Sequence, residues 1–80
     1  MTLELLSKPS CVQCTATKRT LDSKGAEYTT TDLTVDPDAL ATAKGLGYLA
    51  APVVLIRDAA NNIVDHWSGF RPEKIAQYAN

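Results

Sequence analysis

Two cysteines, Cys11 and Cys14, stand three positions apart and are the only cysteines in the chain. Sulfur atoms at that spacing do one of two kinds of chemistry: they help hold a metal ion, or they pass between two thiols and one disulfide. As a structural brace the pair is badly placed. A disulfide stabilises by closing a long loop in the unfolded chain, and this one closes a four-residue ring. Zinc normally needs four ligands, and beyond this pair the sequence offers the single His66, far along the chain. A metal site would then require two chains to pool their Cys-x-x-Cys pairs. Reversible redox chemistry is the better-supported reading, with a metal-binding module as the alternative from another class.

The two sulfurs are not equivalent. Ser7-Lys8-Pro9-Ser10 ends an apolar run, and residues 12–24 contain no Gly or Pro and read as a helix. Cys11 therefore falls at a helix N-terminus and Cys14 one turn inside. Residues three apart in a first turn share a face with Cβ atoms about 5–6 Å apart. A disulfide needs about 3.5–4.5 Å, so a slight adjustment of the turn lets the bond open and close without refolding. Free N–H groups and the helix dipole favour negative charge on Cys11, and Lys8 adds a cationic neighbour. Cys11 is accordingly the expected nucleophile and Cys14 the more buried, resolving thiol. A thiol near pKa 8.5 is about 3% ionised at pH 7, and one near 7 about half ionised. Lost basicity offsets most of that gain and leaves about a threefold faster attack. Placement outweighs acidity.

The elements that must position the pair can be read in order. Leu3, Leu5 and Leu6 form a short buried strand, and the helix that follows carries a stripe of Val12, Ala16, Thr20 and Leu21 before Gly25 stops it. Glu27-Tyr28-Thr29-Thr30-Thr31 has the β-branched and aromatic content of a strand. Asp36-Pro37 starts a second helix, with Leu40 and Ala43 facing one way and Gly45 at its end. Val53-Val54-Leu55-Ile56 is a buried strand. A turn at Asp58-Ala59-Ala60-Asn61-Asn62 leads into a hairpin partner at residues 63–67. Pro72 opens a last helix with Ile75, Tyr78 and Ala79 on one face. Strand, helix, strand, helix, strand, strand, helix is an α/β order: a βαβ unit followed by a hairpin, giving a mixed sheet with helices on its faces.

Composition narrows what such a chain does. Its 80 residues, read as one continuous domain over 1–80, carry 8 Lys plus Arg against 9 Asp plus Glu. That balance argues against a nucleic-acid binder, which would show a basic excess. The longest uncharged apolar run, residues 48–56, is broken by Pro52 and falls far short of the roughly 20 residues that span a bilayer. Met1-Thr2-Leu3-Glu4 has no basic region leading into a long apolar stretch, so the expected location is the cytoplasm. A domain this small buries only roughly 60% of its unfolded surface, and its chemistry should lie at the surface.

Three segments carry a resemblance that runs nearly end to end. They are Lys8-Pro9-x-Cys11-Val12-Gln13-Cys14, then Leu46-Gly47-Tyr48-Leu49 running into Ala51-Pro52-Val53-Val54, then Trp67-Ser68-Gly69-Phe70-Arg71-Pro72. In these the chain resembles the NrdH-redoxins, glutaredoxin-sized members of the thioredoxin-like superfamily. The resemblance implies a thioredoxin-like, glutaredoxin-type fold, a four-stranded mixed sheet flanked by three helices in the order βαβαββα. It also implies a monomeric reductase of protein disulfides. Electrons come from NADPH through thioredoxin reductase and go to the large subunit of class Ib ribonucleotide reductase. No cofactor is bound, only the reversible Cys11–Cys14 disulfide.

Site residues follow from the same resemblance. Val12 and Gln13, between the sulfurs, are expected to face partners. The bond between Ala51 and Pro52 is expected to be cis beside the cysteine pair, turning the Ala51 N–H and C=O outward to an extended peptide as in β-strand addition. An X–Pro bond is otherwise cis in only about 5–6% of cases. Trp67, Ser68, Gly69, Phe70 and Arg71 are expected to form a partly exposed docking surface for the reductase, with Arg71 ordering the loop by hydrogen bonds. The plainer alternative has Trp67 and Phe70 packing on the sheet, Ser68-Gly69 as a turn and Pro72 as a helix start. Glutathione-binding glutaredoxins carry Gly-x-Asp where this chain has Gly69-Phe70-Arg71, so poor glutathione binding is expected. A glutathione-dependent glutaredoxin is the alternative within the same chemistry. The turn over residues 57–65 is longer than in typical members, and Thr15, Lys18 and Arg19 read as a solvated face.

Overall fold

The computed structural model describes residues 1–79. Its elements are β1 (Thr2–Ser7), α1 (Val12–Ser23), β2 (Thr29–Asp32), α2 (Pro37–Gly45), β3 (Val53–Arg57), β4 (Ile63–Ser68) and α3 (Pro72–Tyr78). The strands form one mixed sheet in the order β2-β1-β3-β4. β1 and β2 run parallel, joined through α1, with Leu5 opposite Thr30. β1–β3 and β3–β4 are antiparallel, the latter a hairpin with a register shift between Ile56 and Arg57. This is the thioredoxin-like arrangement of four strands and three helices that the resemblance implied.

Alternation along the strands makes two cores. Leu3, Leu5, Val54, Ile56 and Trp67 point to one face, where they pack with Leu21 of α1 and with Ile75 and Ala79 at α3. Leu6, Val53 and Leu55 point to the other, against Ala39 and Ala43 of α2. β3 is therefore buried on both sides, which is why it reads as an unbroken apolar run. Each fully buried branched side chain contributes about 1.5–3 kcal/mol.

Local signals set the boundaries. Asp36 caps α2, its Oδ1 accepting the Ala39 N–H at 3.0 Å, with Pro37 in the first turn. Asp58 holds the hairpin turn, its Oδ1 accepting the N–H groups of Ala60 and Asn62 at 2.9 Å.

Several expectations are corrected. The inward face of α1 is Cys14, Thr17 and Leu21, while Val12 is 85% exposed. Thr17 passes as an apolar residue because its hydroxyl donates to the Gln13 carbonyl at 2.8 Å. On α2 the buried pair is Ala39 and Ala43, and Leu40 faces outward. β2 begins at Thr29, leaving Glu27 and Tyr28 in the connection. Tyr78, placed by sequence on the inner face of the last helix, keeps a partly exposed ring stacked on Trp67, centroids 6.0 Å apart.

Candidate active site

Where β1 ends, Ser10 takes a left-handed backbone conformation (φ 56), and the chain turns into α1. Cys11 is the N-cap residue of that helix, and its Sγ accepts the Cys14 N–H at 3.1 Å. A backbone donor aimed at the sulfur, at the positive end of a helix, stabilises a thiolate there. The first turn of α1 carries no acidic residue. Cys11 and Cys14 are joined, with Cα atoms 5.2 Å apart, and Cys11 is partly exposed where Cys14 is 3% exposed. The asymmetry expected of an attacking and a resolving sulfur is thus present in their exposure.

A surface cavity of about 530 Å³ lies over the pair, with Lys8 and Lys18 as its only charged lining among the described residues. Lys18, expected on a solvated face, is half-buried in the wall of this cavity. Lys8 also lines a neighbouring apolar groove of about 340 Å³, together with Lys44, Leu40, Leu49 and Ala51. Leu49 is 91% exposed at its rim. Among the described residues neither cavity has a carboxylate in its lining. Both present cations and apolar surface to whatever approaches the sulfurs.

The peptide bond between Ala51 and Pro52 is cis, as the resemblance implied. The Pro52 carbonyl accepts the Gly69 N–H at 2.9 Å, and the Ser68 hydroxyl lies 3.1 Å from the carbonyl oxygens of both Ala50 and Pro52. Among the described residues no hydrogen bond engages the N–H or C=O of Ala51. Gln13 joins the third segment: its Oε1 accepts the Phe70 N–H at 3.0 Å. Gly69 sits at φ 86, a left-handed conformation that favours glycine, and a Cβ there would lie a tight 3.2 Å from the same Oε1, so a larger residue would strain the turn and push on the Gln13 amide. Val12, Gln13, Ala51, Pro52, Ser68, Gly69 and Phe70 thus belong to three linked segments, one of which carries the sulfurs.

Two members of the expected surface differ from expectation, Trp67 in its place and Arg71 in its bonding. Trp67 is 2% exposed, not on a docking face: strand alternation points its indole into the core beneath α3, with Lys74 Nζ 5.3 Å from the ring centre. Arg71 does not order the turn either. Its Nε donates to Glu73 at 2.7 Å across the start of α3, and Gln13 and Ser68 hold the turn instead. Sequence reading gave no signal for these links, since each ends on a backbone atom that every residue shares. It also missed the exposed Leu49. Among the described residues no three His, Cys, Asp or Glu side chains are grouped to hold a metal ion, and no helix is long and apolar enough to cross a membrane.

Comparison with known proteins agrees with this geometry. The pattern of the glutaredoxin family matches residues 3–59. The glutaredoxin-like protein NrdH of Salmonella typhimurium is 37% identical over 75 residues, covering 94% of this chain and 85% of that one. The solved structure of NrdH-redoxin from Escherichia coli, a glutaredoxin-like protein with a thioredoxin-like activity profile, superposes with a TM-score of 0.86. It is 30% identical, over 100% of this chain and 97% of that one. A glutaredoxin from Archaeoglobus fulgidus has the same fold at 17% identity, with a TM-score of 0.70 over 94% of this chain and 82% of that one. With Cys11 and Cys14 as its redox pair, the chain is a thiol–disulfide oxidoreductase and belongs to the glutaredoxin family, among the NrdH-redoxins.

Proposed function

We propose that the chain acts as one cytoplasmic, monomeric domain that reduces disulfides in other proteins and is itself re-reduced by thioredoxin reductase with NADPH. Its acceptor is class Ib ribonucleotide reductase, at the large subunit. The observation that carries this reading is the pairing of a partly exposed sulfur at a helix N-terminus with a buried sulfur one turn inside. The Cys11 thiolate attacks one sulfur of the substrate disulfide, forming a mixed disulfide and releasing the other sulfur as a thiolate. The Cys14 thiolate then attacks Cys11 Sγ, and the second substrate thiolate leaves. Two electrons pass to the substrate, its thiolates take protons from water, and the chain is left oxidised.

Lys8 supports the Cys11 thiolate from the wall of the shared cavity, and the unengaged backbone of Ala51 offers one donor and one acceptor to an extended peptide. Cationic and apolar walls suit a cysteine-bearing segment with acidic and apolar residues. Thioredoxin reductase as the electron source is supported by the thioredoxin-like activity profile of the Escherichia coli relative. It is supported also by Gly69-Phe70-Arg71, which lacks the acid of a glutathione site.

One assay decides it. The purified chain is given NADPH with thioredoxin reductase, or glutathione with its own reductase, while reduction of a model protein disulfide is followed. Turnover is expected with thioredoxin reductase. Turnover with glutathione alone makes the chain a glutathione-dependent glutaredoxin. Stoichiometric zinc or iron with no turnover in either system makes it a metal-binding module.

A further inference from the structure

Gln13 stands between the two cysteines, yet its side chain reaches away from them to a residue 57 positions further on. A backbone N–H can meet only an acceptor, so the Phe70 contact fixes the amide with Oε1 toward Phe70. The Ser68–Phe70 turn is tied on its other side to the Ala50–Pro52 segment through the Gly69 N–H and the Ser68 hydroxyl. Within these bonds, Gln13 is the only side chain that links this turn to α1. Without it the turn keeps its hold on Pro52 but loses its register against the sulfurs. Phe70, 38% exposed, then has no fixed position relative to the first turn of α1.

We propose that Gln13 is a positioning residue for partner selection. Its amide oxygen clamps the Ser68–Phe70 turn to the first turn of α1, so that the exposed Phe70 ring and the Cys11 sulfur meet a protein substrate in one fixed arrangement. Gln13 acts through Phe70, and the clamp governs how well a folded partner is held more than how fast the sulfurs exchange. This rests on the chain being a reductase of protein disulfides, as proposed above. The test is driven by dithiothreitol, so it does not depend on which reductase serves the chain.

Gln13→Met keeps length and helix preference and removes the strong acceptor, whereas Gln13→Glu keeps an acceptor oxygen. Exchange of the Phe70 amide, followed by NMR, is expected to be about fivefold faster in Gln13→Met and near wild type in Gln13→Glu. With insulin as substrate, KM is expected to rise about fivefold in Gln13→Met, with kcat within about twofold. Gln13→Glu returns KM toward wild type, and the effect of its added charge on the Cys11 thiolate falls on kcat. Unchanged KM in Gln13→Met, or a rise that Gln13→Glu does not reverse, overturns the proposal. So does a fall in kcat without a change in KM. Failure of the wild-type chain with thioredoxin reductase would count against the electron source proposed above and leave this comparison intact.

Discussion

Cys11 and Cys14 differ more in surroundings than in kind. One is partly exposed, bonded by a backbone N–H and set in a cavity lined by Lys8 and Lys18, and the other is buried one turn inside α1. That difference orders the two exchange steps, since an outside disulfide can reach Cys11 but not Cys14. Cys14→Ser is therefore expected to stall after the first step and accumulate a covalent adduct through Cys11, seen as a mass increase that dithiothreitol removes. Cys11→Ser should trap none, and an adduct on Cys14 in that variant would reverse the assignment. This much was legible in the sequence because the chemistry is local: residue type, spacing and a helix start suffice. The clamp from Gln13 was not legible. Its partner is a peptide N–H brought near by the meeting of α1 and the β4–α3 turn, and no letter at position 70 specifies it. Trp67 shows the opposite error, a residue of interface type that strand alternation turned inward.

Between elements, Asp65 joins β4 to α3. Its Oδ2 accepts from Lys74 Nζ and from the Tyr78 hydroxyl, both at 2.6 Å. The hydrogen bond from Lys74, followed by that from Tyr78, lowers the Asp65 carboxyl to about 2. A carboxyl lowered in the folded state adds stability that is complete above its unfolded value near 4. That stability is lost as pH falls from there toward 2. Asp65→Asn is expected to cost about 1–2 kcal/mol at pH 7, discounted for partial exposure, and to flatten the fall in stability between pH 4 and 2. Urea midpoints across that range measure it, and an unchanged slope would show that the group contributes nothing. Helix and strand existence was plain from period and caps, as at Asp36-Pro37. Helix faces were less plain. Thr17 satisfies its own hydroxyl within the helix and becomes core, and small Ala39 lets α2 sit close to the sheet while Leu40 turns to the groove.

Across the whole molecule, the sheet has a core on each face, and the reacting sulfurs lie at one end of it, beyond the last residue of β1. Opening a ring of four residues there leaves both cores as they are, which suits a carrier that must alternate between two states without refolding. The connection order was readable because a parallel pair needs a crossover and an antiparallel pair can close through a short turn. The two-sided burial of β3 was also announced by its unbroken apolar run. Trp67 has one more consequence. As the chain's single tryptophan, packed on the sheet and stacked against Tyr78 with the rings 18° apart, it is a built-in optical reporter of whether α3 is seated. Its emission should shift to the red on urea titration at the same midpoint as the circular-dichroism signal if the chain unfolds as one unit. An earlier shift would reveal the C-terminal helix peeling away first.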